Sequence, residues 1–146
     1  KVADIADASK IPLPVDISIS ADDASLWVNT WNDGMTRLFD ISDPFAPKLK
    51  SETSIGEQVN MVSQSWDGER LYYTSSLLEN WDKTESTGKD LQYFKVYDYQ
   101  GGELTHKLTI DFIEEGLSYP HQMRFGAYSL YGMTAPAQTE QLAKHP

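Results

Sequence analysis

Cysteine is absent from this chain of 146 residues, and long apolar runs are absent with it. Without thiols the chain can supply neither a disulfide framework nor a thiolate metal site. Because no apolar stretch approaches the length of a bilayer span, we expect a soluble protein without a membrane partner. Basic residues are few, 12 Lys and Arg against 22 Asp and Glu, and the net charge of −10 argues against a nucleic-acid partner.

Histidines and the common catalytic signatures are also scarce. The sequence contains no G-x-S-x-G elbow, P-loop, H-E-x-x-H helix or glycine-rich dinucleotide turn. The three histidines are His106, His121 and His145, and no two of them stand at ligand spacing. This chain therefore cannot complete a histidine metal site from its own residues.

The length and the first residue bear on how much of a protein this chain represents. A chain of 146 residues has room for one ordinary domain with its own core. It begins with Lys1 rather than Met, and no charged-then-apolar leader follows. We expect either that a leader has been removed or that the chain starts within a longer protein.

Two segments of the chain share one plan, "DISISADDASLWVNTWNDGMTRLFDIS" and "NMVSQSWDGERLYYTSS". Asp22 and Asp67 lie 45 residues apart, and so do the aromatic strands predicted at 26–28 and 71–73. A repeat of this length with four short strands per unit is typical of a β-propeller blade. The predicted fold class is therefore all-β, with a small antiparallel sandwich of the same strands as the alternative.

The repeat also sets the domain boundaries. We predict blades at about residues 15–55 and 59–110, a closing inner strand near 121–127 and a tail over 128–146. Two blades cannot close a ring, which needs at least about four, so we expect the C-terminal part of a larger propeller. In the first strand Val15, Ile17 and Ile19 alternate with polar residues, which predicts a half-buried strand.

The second repeat carries an insertion, "LLENWDKTESTGKD" at residues 77–90. The offset from Leu38 to Val96 is 58 residues, 13 more than the offset between the earlier strands. We expect the insertion to leave the blade between its second and third strands and to cover a face of the ring or contact another subunit. A mobile surface loop is the alternative, given its polar composition.

Polar groups stand near the start of each predicted inner strand: Asp16, Asn60, and His121 with Gln122. The innermost strand of a blade lines the central channel, so polar groups at its mouth would suit a ligand or metal on the axis. Hydrogen bonds between neighbouring blades would explain the same pattern. The residues alone leave both interpretations open.

Three motifs resemble a known family. The stretch "DISISADDASLWVNTWNDGMTRLFDISDPFAPKL" resembles the C-terminal region of the selenium-binding protein family, which includes the methanethiol oxidases. The stretches "SQSWDGERLYYTSSLLENWDK" and "DFIEEGLSYPHQMRFG" are similar to the next two motifs of that region, in the same order. The resemblance covers about residues 11 to 126 and implies a propeller of about seven blades.

The resemblance implies copper as the cofactor and the conversion of methanethiol to formaldehyde, hydrogen sulfide and hydrogen peroxide. His121 falls on a histidine of the family's last motif, which makes it the metal-ligand and catalytic candidate, since neutral imidazole suits copper. Asp16 is a second catalytic candidate that could orient this ring or bind metal directly. Trp81 and Asn60 are weaker candidates for a substrate pocket, and Trp81 could instead anchor the insertion.

The chain departs from the family pattern at several places. Asp33 stands where relatives often have a histidine, Gln122 replaces a glutamate, and the tail contains no cysteine. A cysteine-based selenium site at this end is therefore not expected. A related copper propeller for another sulfur compound such as thiocyanate, and a non-catalytic propeller that binds selenium or a partner, are the alternative functions.

The same resemblance suggests partners and a compartment. We expect a small thiol substrate, the remainder of the propeller chain with the other metal ligands, and a homo-oligomer. Bacterial oxidase relatives are exported, which favours the periplasm over the cytoplasm.

Overall fold

The computed structural model describes residues 11–78, 81–82 and 92–125, and these form two four-stranded antiparallel sheets. The strands are β1 (Pro14–Ile19), β2 (Ser25–Thr30), β3 (Met35–Asp40), β4 (Lys48–Ser54), β5 (Val62–Gln64), β6 (Arg70–Thr74), β7 (Tyr93–Gln100) and β8 (Glu103–Asp111). The predicted all-β class is confirmed. No helix in these residues has the length and apolar character that a membrane span requires.

Each sheet is a meander in strict chain order, β1-β2-β3-β4 and β5-β6-β7-β8. The described chain therefore passes between the sheets once, between β4 and β5. Consecutive four-stranded meanders are the order of neighbouring propeller blades, and no strand is exchanged between these sheets as in a Greek key.

The 45-residue repeat of aspartates has a local structural cause. Asp22 accepts hydrogen bonds from the Ser20 hydroxyl and the Ala24 N–H, and Asp67 accepts them from the Ser65 hydroxyl and the Glu69 N–H. These bonds hold the pKa of each carboxyl below its usual value, and the bond from the serine hydroxyl contributes more than the bond from the backbone N–H. These aspartates therefore close the hairpin turn of each sheet.

The core lies between the two sheets. Its buried side chains come from both sheets and from the chain between them: Trp27, Leu38, Ile55, Val59, Val62, Leu71, Tyr73, Tyr93 and Tyr97. Across the interface Trp27 meets Tyr99 edge to face, with ring centroids 5.1 Å apart. The aromatic strand of the first repeat, β2, thus packs against β7 of the second sheet.

The first strand turns its polar side, not its apolar side, toward the second sheet. The Asp16 carboxylate accepts from the Val62 N–H at 2.9 Å, and Gln64 Nε2 donates to the Ser18 hydroxyl at 2.9 Å. Ile17 and Ile19 are 58% and 52% exposed. The predicted half-buried strand is therefore present at Pro14–Ile19, but within the described residues its covered side is the polar one, because the neighbouring sheet packs on that face.

A closing strand was predicted near 121–127, but residues 121–125, the part of it that the structure describes, do not form a strand. An extended segment becomes a strand only when a neighbouring backbone pairs with it along its length. Here side chains make the contacts instead: the Ser63 hydroxyl donates to Met123 O and the Thr74 hydroxyl to His121 O, each at 2.7 Å. Residues 126–127 and the predicted tail lie outside the described residues.

The insertion lies where the repeat offset predicted it, between β6 and β7. Of its residues 77–90, only 77–78 and 81–82 are described. The proposed contact with a ring face or another subunit therefore stays a prediction.

Candidate metal-ligand site

His121 is held by the end of strand β6. Its ring nitrogen Nδ1 lies 2.9 Å from the Ser76 carbonyl oxygen. The Ser76 N–H donates to Pro120 O at 3.2 Å, and the Thr74 hydroxyl donates to His121 O. Three hydrogen bonds thus fix both the backbone and the ring of this exposed histidine.

The partner of Nδ1 decides the tautomer of the ring. A carbonyl oxygen can only accept, so Nδ1 must carry the hydrogen in this bond. In the neutral ring the lone pair then lies on Nε2, for which no hydrogen-bond partner occurs among the described residues. Metal-ligating histidines commonly donate their second ring N–H to a carbonyl or carboxylate in this way.

Asn60 lies directly behind His121. Its Nδ2 donates to the same Ser76 carbonyl oxygen, and its own carbonyl accepts from Asn29 Nδ2 at 2.8 Å. Both asparagine side chains are fully buried, and in the described part of the chain neither Oδ1 has a partner. Within the described residues Asn60 has no exposed surface and binds the carbonyl that also holds His121, and its role in a substrate pocket stays a prediction.

Asp16 and His121 are not brought into contact. Asp16 bridges β1 to the Val62 N–H and lines a cavity of about 250 Å³ together with Gln122 and Arg124. The Ser76 carbonyl, not Asp16, orients the imidazole ring. Within the described residues Asp16 therefore fits the alternative interpretation, a hydrogen bond between blades.

Trp81 is 56% exposed and does not line that cavity. Its N–H donates to Leu78 O at 2.7 Å, which closes a turn at the start of the insertion. The described contacts therefore favour the anchoring interpretation over a pocket wall.

Asp82 is the residue that sequence reasoning missed. Its carboxylate accepts from the Ser76 hydroxyl at 2.6 Å, the Leu77 N–H at 2.9 Å, and Leu78 N–H and Gln92 Nε2 at 3.3 Å. A carboxylate with four donors fixes the backbone where β6 ends. The signal in the sequence was its place in "WDK", but no local pattern indicated that Ser76 would be a hydrogen-bond partner of this carboxylate.

A second cavity, of about 650 Å³, lies between the hairpin turns at the other end of β1 and β5. Trp27, Trp66 and Tyr99 line it together with the turn aspartates. The Oδ1 atoms of both carboxylates accept the hydrogen bonds that close their turns, so this cavity combines aromatic rings with two carboxylates fixed in place.

The described residues contain no group of three or more His, Cys, Asp or Glu side chains that could hold a metal ion. His121 alone fits as one imidazole ligand, since its Nε2 is free and its Nδ1 is held. His106 is occupied elsewhere, with Nε2 2.8 Å from the Thr109 hydroxyl and its ring against Tyr97. His145 lies outside the described residues.

Comparison with known proteins gives this geometry a context. A family model described as 56kDa selenium binding protein (SBP56) matches residues 2–129. A methanethiol oxidase of Ruegeria pomeroyi is 58% identical over 131 residues, which cover 89% of this chain and 29% of that protein. A methanethiol oxidase of Hyphomicrobium sp. is 54% identical over 123 residues, which cover 84% of this chain and 28% of that protein.

Among solved structures, the X-ray structure of a hypothetical selenium-binding protein from Sulfolobus tokodaii matches with a TM-score of 0.62 and 28% identity. The match covers 70% of this chain and 27% of that chain. This chain therefore spans less than a third of the length of the relatives described here.

Proposed function

The chain belongs to the 56kDa selenium binding protein family, and from this membership we propose that it forms part of a copper-dependent methanethiol oxidase. Two relatives named methanethiol oxidase, each more than half identical over most of this chain, support the proposal. The observation that carries it is the orientation of His121, whose Nδ1 is held by Ser76 O while Nε2 stays free.

The rest of the enzyme is proposed to be further propeller blades. Residues paired directly across a sheet share a face, and the pairs Ile19–Leu26, Leu26–Phe39 and Phe39–Leu49 form one apolar row across the first sheet. Ile19 and Leu49, at the two ends of the row, are 52% and 41% exposed. An apolar face of this kind supports the proposal that a neighbouring blade covers it in the whole protein.

In the proposed site His121 is one ligand, and the other ligands come from outside the described residues. When bound, copper would supply a Lewis acid for the thiol sulfur and a redox connection to dioxygen. The contribution of this chain is to present the Nε2 lone pair in a fixed direction. The hydrogen bonds from Thr74 and Ser76 to the backbone of residues 120–121 hold this segment, and with it the His121 ring, in place.

The proposed reaction balances with dioxygen and water as co-reactants. One methanethiol, one dioxygen and one water give one formaldehyde, one hydrogen sulfide and one hydrogen peroxide. Water supplies the oxygen of formaldehyde, the carbon–sulfur bond breaks, and dioxygen accepts two electrons.

The test is a product assay on the full-length protein. We expect copper-loaded protein to consume methanethiol and to release formaldehyde, sulfide and peroxide in equal amounts. Removal of copper by a chelator should abolish turnover, and added copper should restore it. Turnover that survives complete copper removal would contradict the proposal.

The same assay separates the alternatives. Turnover of thiocyanate in place of methanethiol would favour the related copper propeller. Tight binding of selenite without turnover of either sulfur compound would favour a selenium-binding protein without catalysis.

A further inference from the structure

We propose that Asp82 is a positioning residue for His121 and that it acts through the peptide unit between Ser76 and Leu77. This inference rests on the proposed function for the role of His121 as a ligand, but the contacts that carry it are independent of any metal. They join the "WDK" segment of the insertion to the "YPH" segment that lies about 40 residues further along the chain.

The first link runs from Asp82 to the peptide. One carboxylate oxygen, Oδ1, accepts from the Leu77 N–H at 2.9 Å, and the other, Oδ2, accepts from the Ser76 hydroxyl at 2.6 Å. The carboxylate thus grips both residues that form the peptide unit. Leu78 N–H and Gln92 Nε2, each at 3.3 Å, hold the carboxylate from its other sides.

The second link runs from the same peptide to the imidazole ring. The Ser76 C=O and the Leu77 N–H belong to one planar trans peptide and point in opposite directions. A carboxylate that fixes the N–H therefore also fixes the direction of the carbonyl, which accepts from His121 Nδ1 at 2.9 Å. Hydrogen bonds in such a chain also polarise one another, so the negative charge strengthens the carbonyl as an acceptor.

Asn60 completes the arrangement from the buried side. Its Nδ2 donates to the Ser76 oxygen, so Asn60 and His121 use the two lone pairs of one carbonyl. Asp82 holds the N–H of this peptide and Asn60 holds its oxygen, so the carbonyl cannot rotate to follow the ring. The ring must instead adopt the tautomer with hydrogen on Nδ1, which leaves Nε2 available.

The result is a carboxylate–peptide–histidine chain. In many metal sites a carboxylate or a carbonyl touches the second nitrogen of the ligating histidine directly, and loss of that partner weakens metal affinity about 10-fold to 100-fold. Here Asp82 exerts the same influence across one peptide bond. Since removal of Asp82 leaves the carbonyl in place but free to turn, we expect the lower end of that range.

The experiment measures the tautomer of His121 in metal-free full-length protein by the ¹⁵N shifts of its ring, assigned by their loss in His121→Gln. In the native protein we expect Nδ1 protonated and Nε2 unprotonated. In Asp82→Ala the ring should shift toward exchange between both tautomers, and copper affinity should fall about 10-fold. Asp82→Asn, which keeps one acceptor and the side-chain shape, should show a smaller change and carries the test if the alanine variant does not fold.

Asp67→Asn is the matched control, because Asp67 also binds a serine hydroxyl and a backbone N–H but has no described bond to the His121 network. It should leave the tautomer and the copper affinity unchanged. Folded Asp82 variants with native ¹⁵N shifts and native copper affinity would overturn the inference. The tautomer measurement needs no metal, so it can succeed even if His121 proves not to bind copper.

Discussion

The two sheets fill the position beside their second strand in different ways. In the first sheet the Trp31 N–H donates to Leu13 O at 2.9 Å, so the chain entering the sheet's own first strand lies there. At the equivalent position 45 residues later, the Ser76 N–H donates to Pro120 O. A distant segment has taken the place in the second sheet, and it brings His121 with it.

The connections that follow these strands differ accordingly. In the first sheet the turn at 31–34 is closed by Asp33, which accepts from the Thr30 hydroxyl and from Arg37 at 2.7 Å. In the second sheet Asp82 holds the residues that directly follow β6, and the neighbouring Ser76 carbonyl points at a histidine. The carboxylate after the second strand therefore stabilises the turn in the first repeat, where it is Asp33. In the second repeat it is Asp82, which we propose orients the ligand His121.

The largest effect on stability is expected when the carboxylate of Asp33 in the first sheet is removed. Asp33→Ala should lower the free energy of unfolding by about 3 kcal/mol, because Arg37 is 4% exposed and loses one of its two charged partners. Urea unfolding followed by tryptophan fluorescence measures the change. The ¹⁵N shifts of His121 should stay native.

Lys50→Ala serves as the control for Asp33→Ala, since its partner Asp40 lies 4.0 Å away and the two side chains are 57% and 36% exposed. We expect no measurable loss of stability in this variant. An equal loss from both variants, or a changed His121 tautomer in Asp33→Ala, would erase the distinction between the two repeats.

A smaller effect concerns the turn aspartates that the repeats share. The folded-state pKa of Asp67 is lowered, first by the Ser65 hydroxyl and then by the Glu69 N–H. A lowered carboxyl pKa contributes stability above its unfolded value of 3.8, and this contribution is lost as the pH falls through the lower folded value. Asp67→Asn should therefore reduce stability at neutral pH but not in strong acid.

Urea unfolding of the native protein and Asp67→Asn across the acid range measures this difference. Asp22→Asn should behave in the same way, because its pKa is lowered by the equivalent pair of donors. A difference from the native protein that grows as the pH falls would show that the sign is wrong.

The strands were predictable from the sequence because their causes are local. Alternation and turn aspartates recur 45 residues apart, and each of them acts within its own hairpin, while the aromatic positions that recur at the same offset mark the strands that enter the core. The direction that β1 faces was not predictable, because alternation identifies an apolar side but not the neighbour that covers it. Ile17 and Ile19 therefore appeared buried in the sequence and are exposed in the described fold.

The candidate site was predictable only in part. His121 stood out through its motif, but the group that orients its ring is a backbone carbonyl, which has no signature in a sequence. Asp82 acts through hydrogen bonds to Ser76 and Leu77, and only the folded turn brings these groups together. Asp16 was assigned to the site because strand mouths look alike in sequence, whether they face a ligand or another blade.

The central claim is that His121 is a copper ligand, and copper bound per folded full-length protein in native and His121→Ala forms tests it most directly. Because this exposed ring contributes little to packing, we expect the variant to keep the native melting temperature and to lose most of its copper, while His106→Ala keeps its copper. Native copper content in His121→Ala, together with a lowered melting temperature, would contradict the claim and assign His121 a structural role.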